Sequence, residues 1–199
     1  MGRLISKNSK ISEDLAVDWL RGVNIYLVGM MGAGKTTVGR ILARELKYRF
    51  FDTDELIIRV ANQSIAEIFD REGEEAFREL ETKVLSELCA YQNSVVATGG
   101  GIVTRSSNWS YLHYGIVVWL DVPIDRLYDR LRSDTARPLL REGDLKSKLQ
   151  SLLNERERFY TQADVRVSIP EDERAQEVVR RAIEEIKKAI ESKTAQDIN

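Results

Sequence analysis

Short apolar runs alternate along this chain with longer stretches in which apolar positions recur every three or four residues. The runs are 24–29 (NIYLVG), 48–52 (YRFFD), 94–98 (SVVAT), 115–121 (GIVVWLD) and 164–169 (DVRVSI). Near-continuous apolar runs of strand length suit strands buried on both faces of a parallel sheet. Between them the period is helical. Ser64 and Glu67 form a capping-box pair ahead of SIAEIFDREG. Ala76, Phe77, Leu80, Val84, Leu85 and Leu88 trace one helical face, and Val178, Val179, Ala182, Ile183, Ile186 and Ile190 trace another. Strands alternating with helices predict an α/β domain with right-handed crossovers. Two regions break the alternation. Residues 53–91 are helical throughout, too long for one crossover helix, and predict an inserted helical lobe. Residues 133–144 (SDTARPLLREGD) are polar and aperiodic, with Pro138 and Gly143, and predict a lid-like loop.

Composition narrows this little. At 199 residues the chain suits one domain, over 24–191, with an N-terminal extension (1–23) and a C-terminal tail (192–199). A net charge of −2 gives no general attraction to nucleic acid or to an anionic membrane. No apolar run approaches the ~20 residues that span a bilayer. Gly2 and Ser6 match an acylation pattern short enough to arise by chance. Glu13, Asp14 and Asp18 argue against a transit peptide, and SEDLAVDWL reads as a short amphipathic helix. The expected setting is cytoplasmic. The lone Cys89 forms no intramolecular disulfide and reads as a core residue. The lone His113 excludes a multi-histidine metal site and reads as the polar end of a helix.

The chemistry begins at Gly29–Thr36, GMMGAGKT, which satisfies G-x-x-x-x-G-K-[ST] between a predicted strand and a predicted helix. Its glycines allow a nest of backbone N–H groups, and the following helix turns its positive end to the same place. Lys35 then serves the β- and γ-phosphates, and the Thr36 hydroxyl can ligate Mg²⁺. The loop signals a nucleoside triphosphate. No Asn-Lys-x-Asp motif of a GTPase follows, and the length favours a small kinase over a multidomain ATPase. Such enzymes hold Mg²⁺ through an acid at a strand end. Asp52 and Asp121 both qualify. Asp121 has a second reading, as cap of the helix starting near Ile124. Asp52 comes paired with Asp54, side by side if the strand reaches that far.

Together, GMMGAGKTT, FFDTD, SIAEIF, EAFRELE, ATGGG, TARPLL and NERERFY, in this order and spacing, resemble shikimate kinase over roughly residues 24–190. The resemblance implies a three-layer P-loop NTPase fold with a five-stranded parallel sheet, order 2-3-1-4-5, flanked by helices. It implies transfer of phosphate from ATP, with Mg²⁺, to the 3-hydroxyl of shikimate. Gly32, Ala33, Gly34, Lys35, Thr36 and Thr37 would hold the nucleotide, with Arg130 against adenine, although Arg126 and Arg132 are its rivals. Thr36 and Asp52 would serve the metal. Asp54 would orient the attacking hydroxyl and accept its proton, with Lys35 and Arg137 also catalytic. Arg78, braced by Glu81, and Arg156 would clamp the substrate carboxylate, with Arg158 the rival to Arg156. Gly99, Gly100 and Gly101 would lie against the substrate hydroxyls. Ser168 departs from the family, which often has Asp there. By the same resemblance the chain is a monomer whose partner is a small molecule. The alternatives are a related kinase of gluconate or a nucleoside monophosphate, and a non-catalytic relative that binds nucleotide or a partner protein.

Overall fold

A computed structural model describes residues 18–132, 144–170 and 173–196. Most of the predicted extension and nearly all of the predicted lid, including Arg137, fall outside these residues. Five strands, β1 (Ile25–Val28), β2 (Arg49–Asp52), β3 (Ser94–Ala97), β4 (Ile116–Asp121) and β5 (Val165–Ser168), form one parallel sheet in the order β2-β3-β1-β4-β5. The expected order therefore holds. The helices are α1 (Lys35–Glu45), α2 (Thr53–Ala61), α3 (Ile65–Leu88), α4 (Ser106–Leu112), α5 (Ile124–Leu131), α6 (Leu145–Tyr160) and α7 (Ala175–Gln196).

The burial of each strand follows its place in the sheet. β1 and β3 are buried along their whole length, and β4 along all but its last residue. The outer strands differ from the expectation of two-faced burial. In β5, Val165 and Val167 are buried whereas Arg166 and Ser168 are exposed, and β2 is fully buried only at Asp52. An outer strand has one neighbour and a partly solvated face, so alternation returns there. α1 and α7 pack on each other, α1 also against β1, β2 and β3, and α7 against β4 and β5. Val178, Val179, Ala182 and Ile186 supply the buried stripe of α7, on the face that its periodicity predicts.

The helical lobe is α2 plus α3. Ser64 caps α3 and Glu67 returns the bond, so the capping box is present. Within α3, Gly73 has φ 85° and ψ 173°, which divides the helix into two segments. Glu74 therefore opens the second segment. His113 ends α4 at its C-cap, and Cys89 ends α3, partly buried against the core. Burial raises the Cys89 thiol pKa, which favours the protonated thiol. Asp121 does not cap α5. Pro123 occupies that position, and Asp121 instead accepts from Arg166 Nε and Nη2 at 3.0 and 2.7 Å. Parallel pairing puts Arg166 one strand away, a neighbour that local sequence does not show.

Candidate active site

The ends of β1, β2 and β3 are adjacent in the sheet, so the loops that follow them meet. After β1 the backbone passes through left-handed conformations at Gly29 (φ 137°), Gly32 (φ 77°) and Gly34 (φ 92°). Residues with a Cβ strain there, which explains the glycines. Gly34 is the N-cap of α1, so the first helical N–H groups open onto the loop. Lys35 is buried, and its Nζ donates to the Gly29 and Met30 carbonyls, both at 2.9 Å. The ammonium thus staples the loop together while standing beside its phosphate-binding nest. Residues Met31–Val38 line a cleft of about 400 Å³, with Asp52, Asp54, Gly100 and Arg130 also on its wall.

Thr36 and Asp52 are one unit. The Thr36 hydroxyl donates to Asp52 Oδ2 at 2.7 Å, which ties the phosphate loop to the end of β2. The strand stops at Asp52 and does not carry both acids along one face. Asp52 is the N-cap of α2, and its Oδ1 accepts from the Asp54 and Glu55 amides at 3.0 and 3.4 Å. Asp54 therefore sits in the first helical turn. A helix N-terminus offsets the repulsion between neighbouring acids, because its partial positive charge favours both. The two oxygens of Asp52 thus face different groups, one the helix it caps and the other the phosphate loop. Arg130 Nη1 donates to the Gly32 carbonyl at 3.0 Å. Of the three arginines near 130, it is the one on the cleft wall.

The second half of the site is built from buried charge. Arg78 is 7% exposed and Glu81 fully buried, so this is no surface ion pair. Arg78 Nη1 donates to Glu81 Oε2 at 2.5 Å, and its Nε and Nη2 donate to Glu74 Oε1 at 3.3 and 2.8 Å. One guanidinium face lies over the Phe77 ring, 5.3 Å from its centroid. A Cβ on Gly101 would overlap that guanidinium, and one on Gly99 would overlap the Glu81 carboxylate while meeting Asp54 Oδ1 at 3.1 Å. Gly99 and Gly101 thus have a structural duty beside the ligand-facing one expected of them. They make room for Glu81 and Arg78. The Gly99 amide is also committed, donating to the Thr53 hydroxyl at 2.9 Å. Gly100 alone of the three lines the cleft.

Arg156, on α6, is 3% exposed, and its Nη1 would lie 3.6 Å from a Cβ on Gly100. Among the described residues, its Nε and Nη1 have no hydrogen-bond partner. A buried cation with open donors is costly unless an anion joins it. Arg158, its rival, is exposed and lies over the Phe159 ring at 4.6 Å. Tyr160, fully buried, donates to the Gly100 carbonyl at 2.6 Å and stacks on Trp119. Burial pushes its phenol up to about 12, so it remains a donor at neutral pH. Burial also raises the Glu81 carboxyl, against the pull of Arg78. The sequence reading missed Glu74, Thr53 and Tyr160. Glu74 was accessible as the i−4 partner of Arg78, and Tyr160 as the i+4 neighbour of Arg156 on one helix face.

A phosphate loop after the central strand, beside a cation-lined pocket between strand ends, defines a phosphate-loop kinase of small molecules. More narrowly, the chain belongs to the shikimate kinase family: the family model described as shikimate kinase matches residues 31–187. A shikimate kinase of Trichormus variabilis is 52% identical over 88% of this chain and 97% of its own length. One of Nostoc sp. is 53% identical over 84% of this chain and 92% of its own. Among solved structures, the shikimate kinase of Acinetobacter baumannii in complex with shikimate has a TM-score of 0.79. It is 40% identical, with 89% of this chain and 98% of that one covered. Among the described residues, no helix is long and apolar enough to cross a membrane.

Proposed function

We infer that the chain transfers the γ-phosphoryl group of ATP to the 3-hydroxyl of shikimate. The observation that carries the reading is the pair of buried arginines, Arg78 and Arg156, beside Asp54 and within reach of the phosphate loop. Shikimate is a carboxylate with ring hydroxyls. Fixed guanidinium groups suit the carboxylate, because a planar fork of N–H donors matches its two oxygens. An acid then suits the hydroxyl that attacks.

In this reading the nest at Gly32–Thr37 and Lys35 hold the phosphates, and Arg130 flanks the nucleotide. Asp54 orients the 3-hydroxyl and takes its proton as the new O–P bond forms. Positioning and charge carry most of the reaction, so a strong base is not required. Magnesium bound to a nucleotide keeps several waters and takes one or two protein oxygens. The Thr36 hydroxyl and Asp52 carboxylate, adjoining the cleft, fit that donor set. Magnesium would neutralise phosphate charge there. Asp52 meanwhile holds Thr36 and the first turn of α2 in fixed relation. Excluding water from a site of this kind limits hydrolysis of ATP.

The test is ADP release from the purified chain with MgATP, with and without shikimate, and with gluconate, AMP and CMP in parallel. Release that depends on shikimate alone supports the reading. Release with another acceptor keeps the phosphate loop and overturns the roles given to Arg78 and Arg156.

A further inference from the structure

Each nitrogen of the Arg78 guanidinium donates to a carboxylate. Nη1 is held by the buried Glu81 at 2.5 Å. One planar face is covered by Phe77, and the backbone of Gly101 lies against the guanidinium. The remaining edge, Nε with Nη2, is the pair of parallel donors that suits a carboxylate. A single oxygen, Glu74 Oε1, accepts from both. Glu81 is fully buried, whereas the Glu74 side chain is 55% exposed. The two partners of Arg78 therefore differ: one is locked into the core and the other can rotate into water. Glu74 also begins the helical segment that follows the break at Gly73, where a side chain would meet nothing within 4 Å.

Arg156 offers the contrast. Its Nε and Nη1 have no hydrogen-bond partner among the described residues. Of the two buried arginines, one presents open donors and the other is already engaged by a protein carboxylate.

On the reading that Arg78 receives the carboxylate of shikimate, we propose that Glu74 stands in for that carboxylate. It keeps the Nε–Nη2 edge of Arg78 satisfied and oriented, and the substrate displaces it on binding. Glu74 is then a positioning residue that competes with substrate. Its presence weakens shikimate affinity and keeps the Nε–Nη2 donors of Arg78 from standing unmet. A purely supporting role predicts the opposite sign, because loss of a brace would loosen Arg78 and weaken binding. The proposal also gives an order of events. The carboxylate meets the open donors of Arg156 first, and Arg78 changes partner afterwards.

The experiment is calorimetric titration of shikimate into the full chain, as wild type, Glu74→Gln, Glu74→Ala, and the same changes with Arg78→Lys. Wild-type turnover of shikimate is measured first on the same preparations. Both Glu74 variants are expected to bind shikimate about fivefold more tightly, the scale of one partly exposed charged hydrogen bond. KM for shikimate should fall in parallel, with KM for MgATP and kcat unchanged. The gain should vanish in the Arg78→Lys background, where the fork is absent. Glu75→Gln is the control, since Glu75 pairs with Arg105 outside the cleft, and it should change nothing. Unchanged or weaker binding in both Glu74 variants, with an active wild type, overturns the proposal alone. A wild type inactive on shikimate overturns both this proposal and the acceptor assignment beneath it.

Discussion

The phosphate loop and the proposed acceptor pocket lie on neighbouring strand ends, yet they are built in opposite ways. The loop is nine consecutive residues, Gly29–Thr37, whose working groups are mostly backbone. Its one charged side chain, Lys35, folds back onto the carbonyls of the same loop. The pocket draws on Asp54, on Arg78 and Glu81, on three glycines, and on Arg156, spread over about a hundred residues. Its working groups are buried charges that depend on one another. A backbone nest is satisfied wherever its few residues adopt the right angles. A buried charge cluster loses stability when a member loses its partner. The difference teaches where each half is fragile: the loop to conformation, the pocket to the loss of any single partner.

That contrast can be broken by substitution. The largest effect should come from Asp54→Asn, which keeps the shape and removes the charge. We expect kcat to fall about 10³-fold, the scale of a lost general base, with MgATP binding retained in a direct titration. Arg78→Ala comes next. It should raise KM for shikimate about 10²-fold and leave KM for MgATP unchanged. It also strands Glu81, so urea unfolding should show a loss of about 3 kcal/mol. Gly101→Ala should act through Arg78 without touching it chemically, raising KM for shikimate about tenfold by displacing the guanidinium. Tyr160→Phe removes the bond to the Gly100 carbonyl and should weaken shikimate binding by about 1 kcal/mol. Arg166→Ala, which breaks the more exposed pair with Asp121, should change stability by less than about 0.5 kcal/mol and activity not at all. If Arg78→Ala weakened nucleotide as much as shikimate, the two halves would not be separate, and the comparison would fail.

How far each half was legible follows from the same construction. The loop is contiguous, so a motif between a strand and a helix located it in full. The strands were legible because central parallel strands must be apolar on both faces. The resemblance supplied their order, which periodicity alone does not contain. In the pocket, the i, i+3 spacing of Arg78 and Glu81 showed a contact but not its depth, since burial depends on what packs above. The glycines at 99–101 were read as a place for ligand to approach. Gly99 and Gly101 also make room for Glu81 and Arg78, distant in sequence. Asp121 was open between cap and metal ligand because its true partner, Arg166, is 45 residues away. Glu74 passed unnoticed, since a carboxylate four residues before an arginine is ordinary on any helix.

The order of the sheet has a consequence beyond holding the core. Asp52, the glycine run and the phosphate loop follow β2, β3 and β1, three strands in sequence across the sheet. Adjacent strands lie about 4.8 Å apart, so the ends of β2 and β1 stand about 10 Å apart, two steps of a backbone lattice. The main chain is therefore a ruler, with its graduations fixed by ladder hydrogen bonds that no side chain sets. Selection could exchange the residues at one mark and so change the molecule that is phosphorylated. The separation between the two marks would survive the exchange.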